Sequence, residues 1–306
     1  MKINGHHHIS MYTKDVQANK DFYTQVLGLR LVEKSVNQDN PSMYHFFYGD
    51  EEGSPGTLLS FFEIPQSGQT RKGTNSIYRL SLLVPSIEAI DYFEQRLTDY
   101  HIISKRINYA GQSALSFEDI DQLEIVLIDN NQQNYPSFWK KNSYSDVPET
   151  YQILGMGPVE LRLSKPESTI QFLTDVLGYH HKDEHTVTLD NTGLYSDFII
   201  KHQDGDSVRP GRGYIHHIAV DIPDDAALED IQAILSLQPG NNSGIIDRYF
   251  FKALYYRQNT ILYEFATSRP GFMVDTTKEH LGMELNLPNF LEEKRAEIEH
   301  NLPPLK

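Results

Sequence analysis

The sequence contains no cysteine among its 306 residues. Without thiolates the chain can form neither a disulfide framework nor a cysteine-ligated zinc or iron–sulfur site, and it has no cysteine nucleophile. Any metal must therefore be held by histidine and carboxylate side chains. This absence directs attention to the 13 histidines.

Basic residues are also scarce, since the chain has 27 Lys and Arg but 42 Asp and Glu, which gives a formal net charge of −15. Nucleic acids and anionic membrane surfaces select basic patches, so we expect neither as a partner. No apolar run approaches the ~20 residues of a membrane span, and histidines interrupt the start of the chain before a secretory segment could form. We expect a cytoplasmic protein and leave open whether it forms a homo-oligomer.

A repeated segment predicts how the chain is organised. The phrases FYTQVLG at 22–28 and FLTDVLG at 172–178 align without a gap, at an offset of 150 residues. Around them, apolar spacing predicts a strand, a helix and three strands, and the same order recurs twice more. We therefore predict an α+β fold of four βαβββ modules. One such module cannot close its own core, so the modules should pair into two open barrels.

The modules divide the chain into two halves and a tail. Modules 1 and 2 fall in residues 1–134, and modules 3 and 4 fall in residues 150–268. A polar stretch that carries the one tryptophan, Trp139, separates the halves and is predicted to be a linker. Residues 269–306 form a proline-interrupted tail that should end in a helix.

The phrase His-His-Ile occurs at residues 7–9 and again at 216–218. Successive side chains of a strand point to opposite faces, so one histidine of each pair can face a given site. We assign His8 and His217, each directly before the isoleucine, as metal ligands, and expect His7 and His216 to point away. The first strands of modules 2 and 3 carry no histidine. A site that needs both ligands therefore requires modules 1 and 4 to pair around the metal.

A carboxylate in an apolar strand supplies the third predicted ligand. Glu264 is the charged residue of TILYEFAT at 260–267. A buried carboxylate is costly unless it is paired or binds a metal. Two histidines and one carboxylate leave three positions open on an octahedral metal, which suits Fe2+ and O2 chemistry, although Mn2+ or another divalent metal could also bind. The histidine-rich run at 180–185 is predicted to be a solvated loop instead.

The four modules, the two His-His-Ile phrases and the strand around Glu264 resemble the vicinal oxygen chelate superfamily, which includes glyoxalases and extradiol dioxygenases. Within it, the chain resembles the hydroquinone-type ring-cleaving dioxygenases of the bacterial MhqO-like group. The resemblance covers nearly the whole chain. The further phrases that carry it are FYTQVLGLRLV (22–32), VNQDNP (36–41), YHFFYGD (44–50), SPGT (54–57), DRYFFKALYYR (247–257) and PGF (270–272).

This resemblance implies Fe2+ held by His8, His217 and Glu264, and cleavage of para-dihydroxylated aromatic rings with O2, in the detoxification of aromatic compounds and quinones. It also implies roles for residues around the metal. Those with implied catalytic roles are His7, His216, Arg248 and Tyr255, and those with implied substrate contacts are Ser10 and Arg257. Ser10 stands where the family leads us to expect threonine, a change that keeps the hydroxyl and alters the pocket shape.

Three other functions remain open at this point. The first is an extradiol dioxygenase that cleaves catechols, although those enzymes usually carry both histidines in modules 3 and 4. The second is a glyoxalase-like metal-dependent isomerase or thiol transferase, which typically needs four ligands where we find three. The third is a metal-dependent binding protein without catalysis.

Overall fold

A computed structural model describes residues 2–189 and 193–305. Its strands and helices follow the predicted modular order. Module 1 comprises β1 (His6–Thr13), α1 (Val16–Asp21), β2 (Arg30–Asn37), β3 (Asn40–Gly49) and β4 (Leu58–Glu63). Module 2 comprises β5 (Ser76–Val84), α2 (Ile87–Asp99), β6 (Ser104–Tyr109), β7 (Gln112–Glu118) and β8 (Glu124–Asp129).

The second half of the chain repeats this order with shorter strands in module 3. A two-residue strand, β9 (Gly155–Met156), pairs with β5. Module 3 comprises β10 (Val159–Leu163), α3 (Glu167–Gln171), β11 (His180–His181), β12 (Thr186–Thr188) and β13 (Phe198–His202), with a 3-10 turn at Leu194–Ser196. Module 4 comprises β14 (Ile215–Ile222), α4 (Asp225–Leu235), β15 (Asn242–Asp247), β16 (Phe251–Gln258) and β17 (Ile261–Pro270).

The tail contains short helical turns before its predicted helix. These 3-10 turns are Phe272–Val274, Lys278–His280 and Asn289–Lys294, and the last leads into α5 (Arg295–Asn301). Across the described ranges 2–189 and 193–305, none of the helices combines the length and the apolar character needed to cross a membrane.

The strands form two curled mixed sheets that confirm the predicted pairing of modules. The first has the order β15-β16-β17-β14-β1-β4-β3-β2, and the second β11-β12-β13-β10-β5-β8-β7-β6. Antiparallel pairing of β1 with β14 joins modules 1 and 4, and pairing of β5 with β10 joins modules 2 and 3. Each sheet thus takes one module from each half of the chain. The predicted domains 1–134, 150–268 and 269–306 describe the order of modules along the chain, and their boundaries stay a prediction.

The internal repeat is visible in the local backbone of modules 1 and 3. Helix α1 continues as a π-helical turn at Phe22–Val26, and α3 continues as the same turn at Phe172–Val176. Gly28 and Gly178 follow with φ angles of 72° and 77°, which a residue with a Cβ rarely adopts. The repeated phrase therefore encodes the same helix ending twice.

The predicted linker is packed against module 1 rather than free. Trp139 is 8% exposed, and its Nε1 donates a hydrogen bond of 2.8 Å to the Pro55 carbonyl. Asn142 Nδ2 donates to the Gly28 carbonyl at 3.0 Å. A side-chain amide and the indole N–H of this polar stretch satisfy backbone carbonyls of module 1, so the stretch packs against that module while it connects the two halves of the chain.

Candidate metal and substrate site

Three adjacent strands bring the predicted ligands together. His8 on β1 lies opposite Ala219 of β14, which lies beside Glu264 of β17. Glu264 Oε2 is 2.8 Å from Nε2 of His217 and 3.2 Å from Nε2 of His8, and the two Nε2 atoms are 3.3 Å apart. The first and last modules therefore meet at these three side chains.

The electrostatics of this group suit a divalent cation. Glu264 is 1% exposed, and neither carboxylate oxygen has a donor in hydrogen-bonding geometry among the described residues. Burial favours the protonated acid, but the nearby His8 and His217 outweigh it and hold the pKa of Glu264 well below its usual range. Burial also lowers the pKa of His217. An ionised carboxylate and unprotonated imidazole nitrogens that converge on one point are what metal binding requires.

Two β-bulges place the neighbouring histidines behind the ligands. His6 pairs with Val220 of β14 and His8 pairs with the adjacent Ala219, so His7 is the extra residue of a bulge. Between Ser10 and Met11 the shift is on the other strand, where His216 is the extra residue. Nδ1 of His7 lies 2.9 Å from Nδ1 of His8, and Nδ1 of His216 lies 2.8 Å from Nδ1 of His217.

This arrangement corrects the expectation that His7 and His216 point away from the ligands by strand parity. Each bulge breaks the alternation and turns the extra histidine toward its neighbour. Burial lowers the pKa of both His7 and His216 to about 3. Both imidazoles are therefore neutral, and each can accept a hydrogen bond from the neighbouring ligand histidine.

A cavity of about 520 Å³, counted to its open mouth, lies over the three ligands. This volume is within the range of small-molecule sites. Its lining combines the ligands, one polar edge and an aromatic wall: His8, Ser10, Ser35, Val36, Asn37, Gln38, Asp39, His45, Phe47, Phe62, His217, Arg248, Phe250, Phe251, Tyr255 and Glu264. Ser10 is buried, and its Oγ is 2.6 Å from that of Ser60 on β4.

Arg248 and Tyr255 form the side of the cavity contributed by module 4. The Arg248 guanidinium lies 5.4 Å from the centre of the Tyr255 ring and makes two hydrogen bonds to Asp39, of 3.1 and 3.0 Å. Burial and then the negative charge of Glu264 raise the pKa of Tyr255. Arg248 thus stays charged and Tyr255 stays protonated beside the ligands.

Arg257 is not brought to this cavity. It lies two residues beyond Tyr255 on β16, so it shares the face but sits farther along the strand. Its exposed guanidinium donates to the Thr260 carbonyl at 2.7 Å. A direct substrate contact from Arg257 therefore has no support in this geometry. The sequence spacing placed the residue on the correct face but could not give its distance from the ligands.

Asp39 and His45 are among the cavity residues that the sequence reasoning missed. Asp39 holds Arg248 from the turn between β2 and β3, and His45 lines the wall formed by β3. Both fall within phrases that carry the resemblance, VNQDNP and YHFFYGD. The available signal was alternation in the second phrase, which puts His45 and Phe47 on one face of their strand.

Comparison with known proteins places this chain in a family. A profile of the Glyoxalase/Bleomycin resistance protein/Dioxygenase superfamily matches residues 5–126. Two Bacillus subtilis proteins named as ring-cleaving dioxygenases match the whole chain: MhqA, 42% identical over all of its own length, and MhqO, 31% identical over 97% of its length. A chlorohydroquinone/hydroquinone 1,2-dioxygenase of Sphingobium indicum is 27% identical, covering 97% of this chain and 95% of its own.

Solved structures agree with these relatives. A Bacillus subtilis protein described as a dioxygenase superposes with a TM-score of 0.91 at 31% identity, covering 100% of this chain and 98% of its own. Maize glyoxalase I has the same fold, with a TM-score of 0.62 at 13% identity, covering 86% of this chain and 92% of its own. The chain therefore belongs to the family of ring-cleaving dioxygenases that includes MhqA and MhqO, as its sequence motifs indicated.

Proposed function

We propose that the protein is an Fe2+-dependent ring-cleaving dioxygenase that acts on hydroquinone-type aromatic rings in the cytoplasm. The observation that carries this proposal is a buried two-histidine, one-carboxylate group at the base of a cavity with an aromatic wall. The names of the relatives support the choice of reaction and ring type.

The ligand group fits a divalent metal because no lysine or arginine among the described residues forms an ion pair with its buried carboxylate, and the nearby Arg248 is paired with Asp39 instead. His8, His217 and Glu264 would hold the ion through Nε2, Nε2 and a carboxylate oxygen. Such an ion would supply a Lewis acid for a phenolic oxygen and an open position for O2. Fe2+ suits this chemistry, and Mn2+ is the main alternative.

The histidines of the two bulges would fix the ligands for this task. With Nε2 committed to coordination, Nδ1 of His8 carries its proton and can donate to Nδ1 of His7. Nδ1 of His217 likewise carries its proton and donates a hydrogen bond to Nδ1 of His216. These bonds fix the tautomer and the ring orientation of both ligands.

Tyr255 and Arg248 would act on the substrate. A protonated tyrosine beside Glu264 can donate a hydrogen bond to the oxygen of a bound phenol, and can return a proton when the ring opens. The charged Arg248 can offset negative charge that develops on that oxygen. Ser10 shapes the base of the cavity through its bond to Ser60, while the phenylalanines exclude water from the ring.

Oxygen uptake tests this proposal against its rivals. Protein loaded anaerobically with Fe2+ should consume O2 with methylhydroquinone much faster than with catechol. The reverse preference would indicate an extradiol enzyme. Uptake with neither compound, together with isomerase activity on thiol adducts, would indicate a glyoxalase-like enzyme. The fold alone does not separate these, but three ligands among the described residues favour the dioxygenase over the four-ligand isomerase.

A further inference from the structure

His45 is a polar residue in the aromatic wall of the cavity, and the reaction proposed above gives it no role. It lies on β3, opposite Phe62 of β4 and Ser35 of β2, and it lines the same cavity as the three metal ligands. Its Nε2 atom is buried and has no hydrogen-bond partner among the described residues. A buried polar atom without a protein partner costs free energy, so a ligand that pairs with it would gain affinity.

Two phenylalanines hold the His45 ring in place. It stacks on Phe62 with ring centres 4.0 Å apart and planes 24° apart, and it contacts Phe47 at 4.2 Å and 46°. Rotation about the side chain would break both contacts. The direction of Nε2 is therefore set by the wall and not by solvent.

An aromatic residue of the wall connects His45 with the proposed metal ligands. The Phe47 ring also contacts His8, at 6.2 Å between centres, so one aromatic residue spans the distance between the metal ligand and His45. A ring lying along this wall would present one edge to the metal ligands and the opposite edge to His45. This matches a molecule with an apolar centre and a polar group at each end.

The imidazole of His45 can either donate a hydrogen bond to such a polar group or accept one from it. Burial, followed by the proximity of His8 and His217, lowers the pKa of His45 well below its usual range. The ring is thus neutral, with one nitrogen that donates and one that accepts. A hydroxyl group can pair with it whichever tautomer is present.

We propose that His45 determines substrate specificity by hydrogen-bonding the hydroxyl of a para-dihydroxylated ring that lies opposite the hydroxyl at the metal ligands. This inference rests on the proposed function. Phenol has no second hydroxyl to use. Catechol has its two hydroxyls on adjacent carbons, so both would face the metal ligands and Nε2 of His45 would stay unpaired. The residue would therefore help the cavity select hydroquinones.

The test compares hydroquinone with phenol, which differ by this one hydroxyl. Binding is measured by calorimetry under anaerobic conditions on the full chain loaded with Mn2+. Wild-type protein should bind hydroquinone about tenfold more tightly than phenol, the gain expected of one buried hydrogen bond. His45→Phe keeps the aromatic wall and should weaken hydroquinone binding about tenfold while leaving phenol binding unchanged. His45→Gln keeps a donor and an acceptor and should recover part of the lost affinity.

The outcomes separate a specificity role from simple packing. Equal loss of phenol and hydroquinone affinity in His45→Phe would show that the residue only fills the wall. Equal affinity of the wild-type protein for the two compounds would overturn the inference without any variant, and so is independent of whether a variant folds. Absence of hydroquinone turnover by the Fe2+-loaded wild type would refute the proposed function instead, since the binding comparison does not depend on turnover.

Discussion

Replacing Glu264 with glutamine tests the metal site directly, because it removes one charge and almost no volume. The carboxylate is 1% exposed and is the anionic member of the ligand group. Glutamine would keep one carbonyl oxygen but would put an amide nitrogen or a neutral oxygen beside the two Nε2 atoms. A divalent cation would then lose its charge compensation. We expect Glu264→Gln to abolish binding of Fe2+ and Mn2+ at micromolar concentrations.

The size of the effect on stability follows from mass action and chain length. A metal present at about 100 times its Kd stabilises the folded protein by about 2.7 kcal/mol. The entropy of unfolding is about 0.64 kcal/mol/K, taking ~2.1 cal/mol/K for each of the 306 residues. The metal should therefore raise the Tm of the wild type by about 4 °C, the quotient of these two values. In Glu264→Gln the rise should fall below about 1 °C, because little metal binds.

Differential scanning calorimetry with and without Mn2+, together with metal analysis of the dialysed protein, measures both quantities. Glu33→Gln is the matched control, because Glu33 is also 1% exposed but lies under the tail, where Oε2 accepts a hydrogen bond from Asn286. This control should keep the full metal-dependent rise in Tm. Glu264→Gln protein that retained one equivalent of metal and the full rise would refute the ligand assignment.

Two further predictions concern the residues around the site and the pH dependence of folding. His216→Phe should lower metal affinity by about 10- to 100-fold, since Nδ1 of His217 loses its partner; competition with a chelator measures this, and His181→Phe, at an exposed position, is the control. Burial and the nearby Asp121 raise the pKa of Asp119 to about 7, so the folded state holds this proton more tightly than the unfolded chain. Stability from Asp119 is therefore complete below pH ~4 and is lost as the pH rises to about 7, by at most about 4 kcal/mol. In Asp119→Asn this contribution to the difference in unfolding free energy between pH 5 and pH 8, measured by urea unfolding, should disappear. A difference equal to that of the wild type would contradict the assignment.

The sequence predicted the modules and their pairing because both depend on long-range regularities. A gapless repeat located the helices of modules 1 and 3, apolar spacing located the other two, and the occurrence of His-His-Ile in modules 1 and 4 required those two modules to meet. The two bulges were beyond such reasoning. The alternation rule assumes that each residue of one strand pairs with one residue of the next. A bulge at His7 or His216 depends on how the two strands pair, and it cannot be detected in the hydrophobic periodicity of the sequence. The error concerned orientation, while the choice of ligands was unaffected.

His45 and Arg257 show the same limit from opposite directions. Alternation can tell which face of a strand a residue occupies, but not which part of a curled sheet is near the ligands. Arg257 shares a face with Tyr255 yet lies beyond the cavity, whereas His45 is on a distant strand and lines it. Curvature brings β3 around to the cavity that is also lined by residues of β1 and β14, and curvature depends on the whole sheet.

The two sheets differ in how they accommodate a buried carboxylate. Glu160, at the junction of β10 with β5, is as fully buried as Glu264, at 0% exposure. It lies 2.7 Å from Arg162, 3.4 Å from Lys201 and 3.7 Å from Arg79, all of which bring their own charge. Although burial opposes ionisation, these cations lower the pKa of Glu160. In the other sheet, near the pairing of β1 with β14, the neighbours of Glu264 are His8 and His217, which offer nitrogen lone pairs instead of a fixed positive charge. Both sheets thus bury a carboxylate, and the proposed metal ion would neutralise the one that forms no ion pair with a lysine or arginine among the described residues.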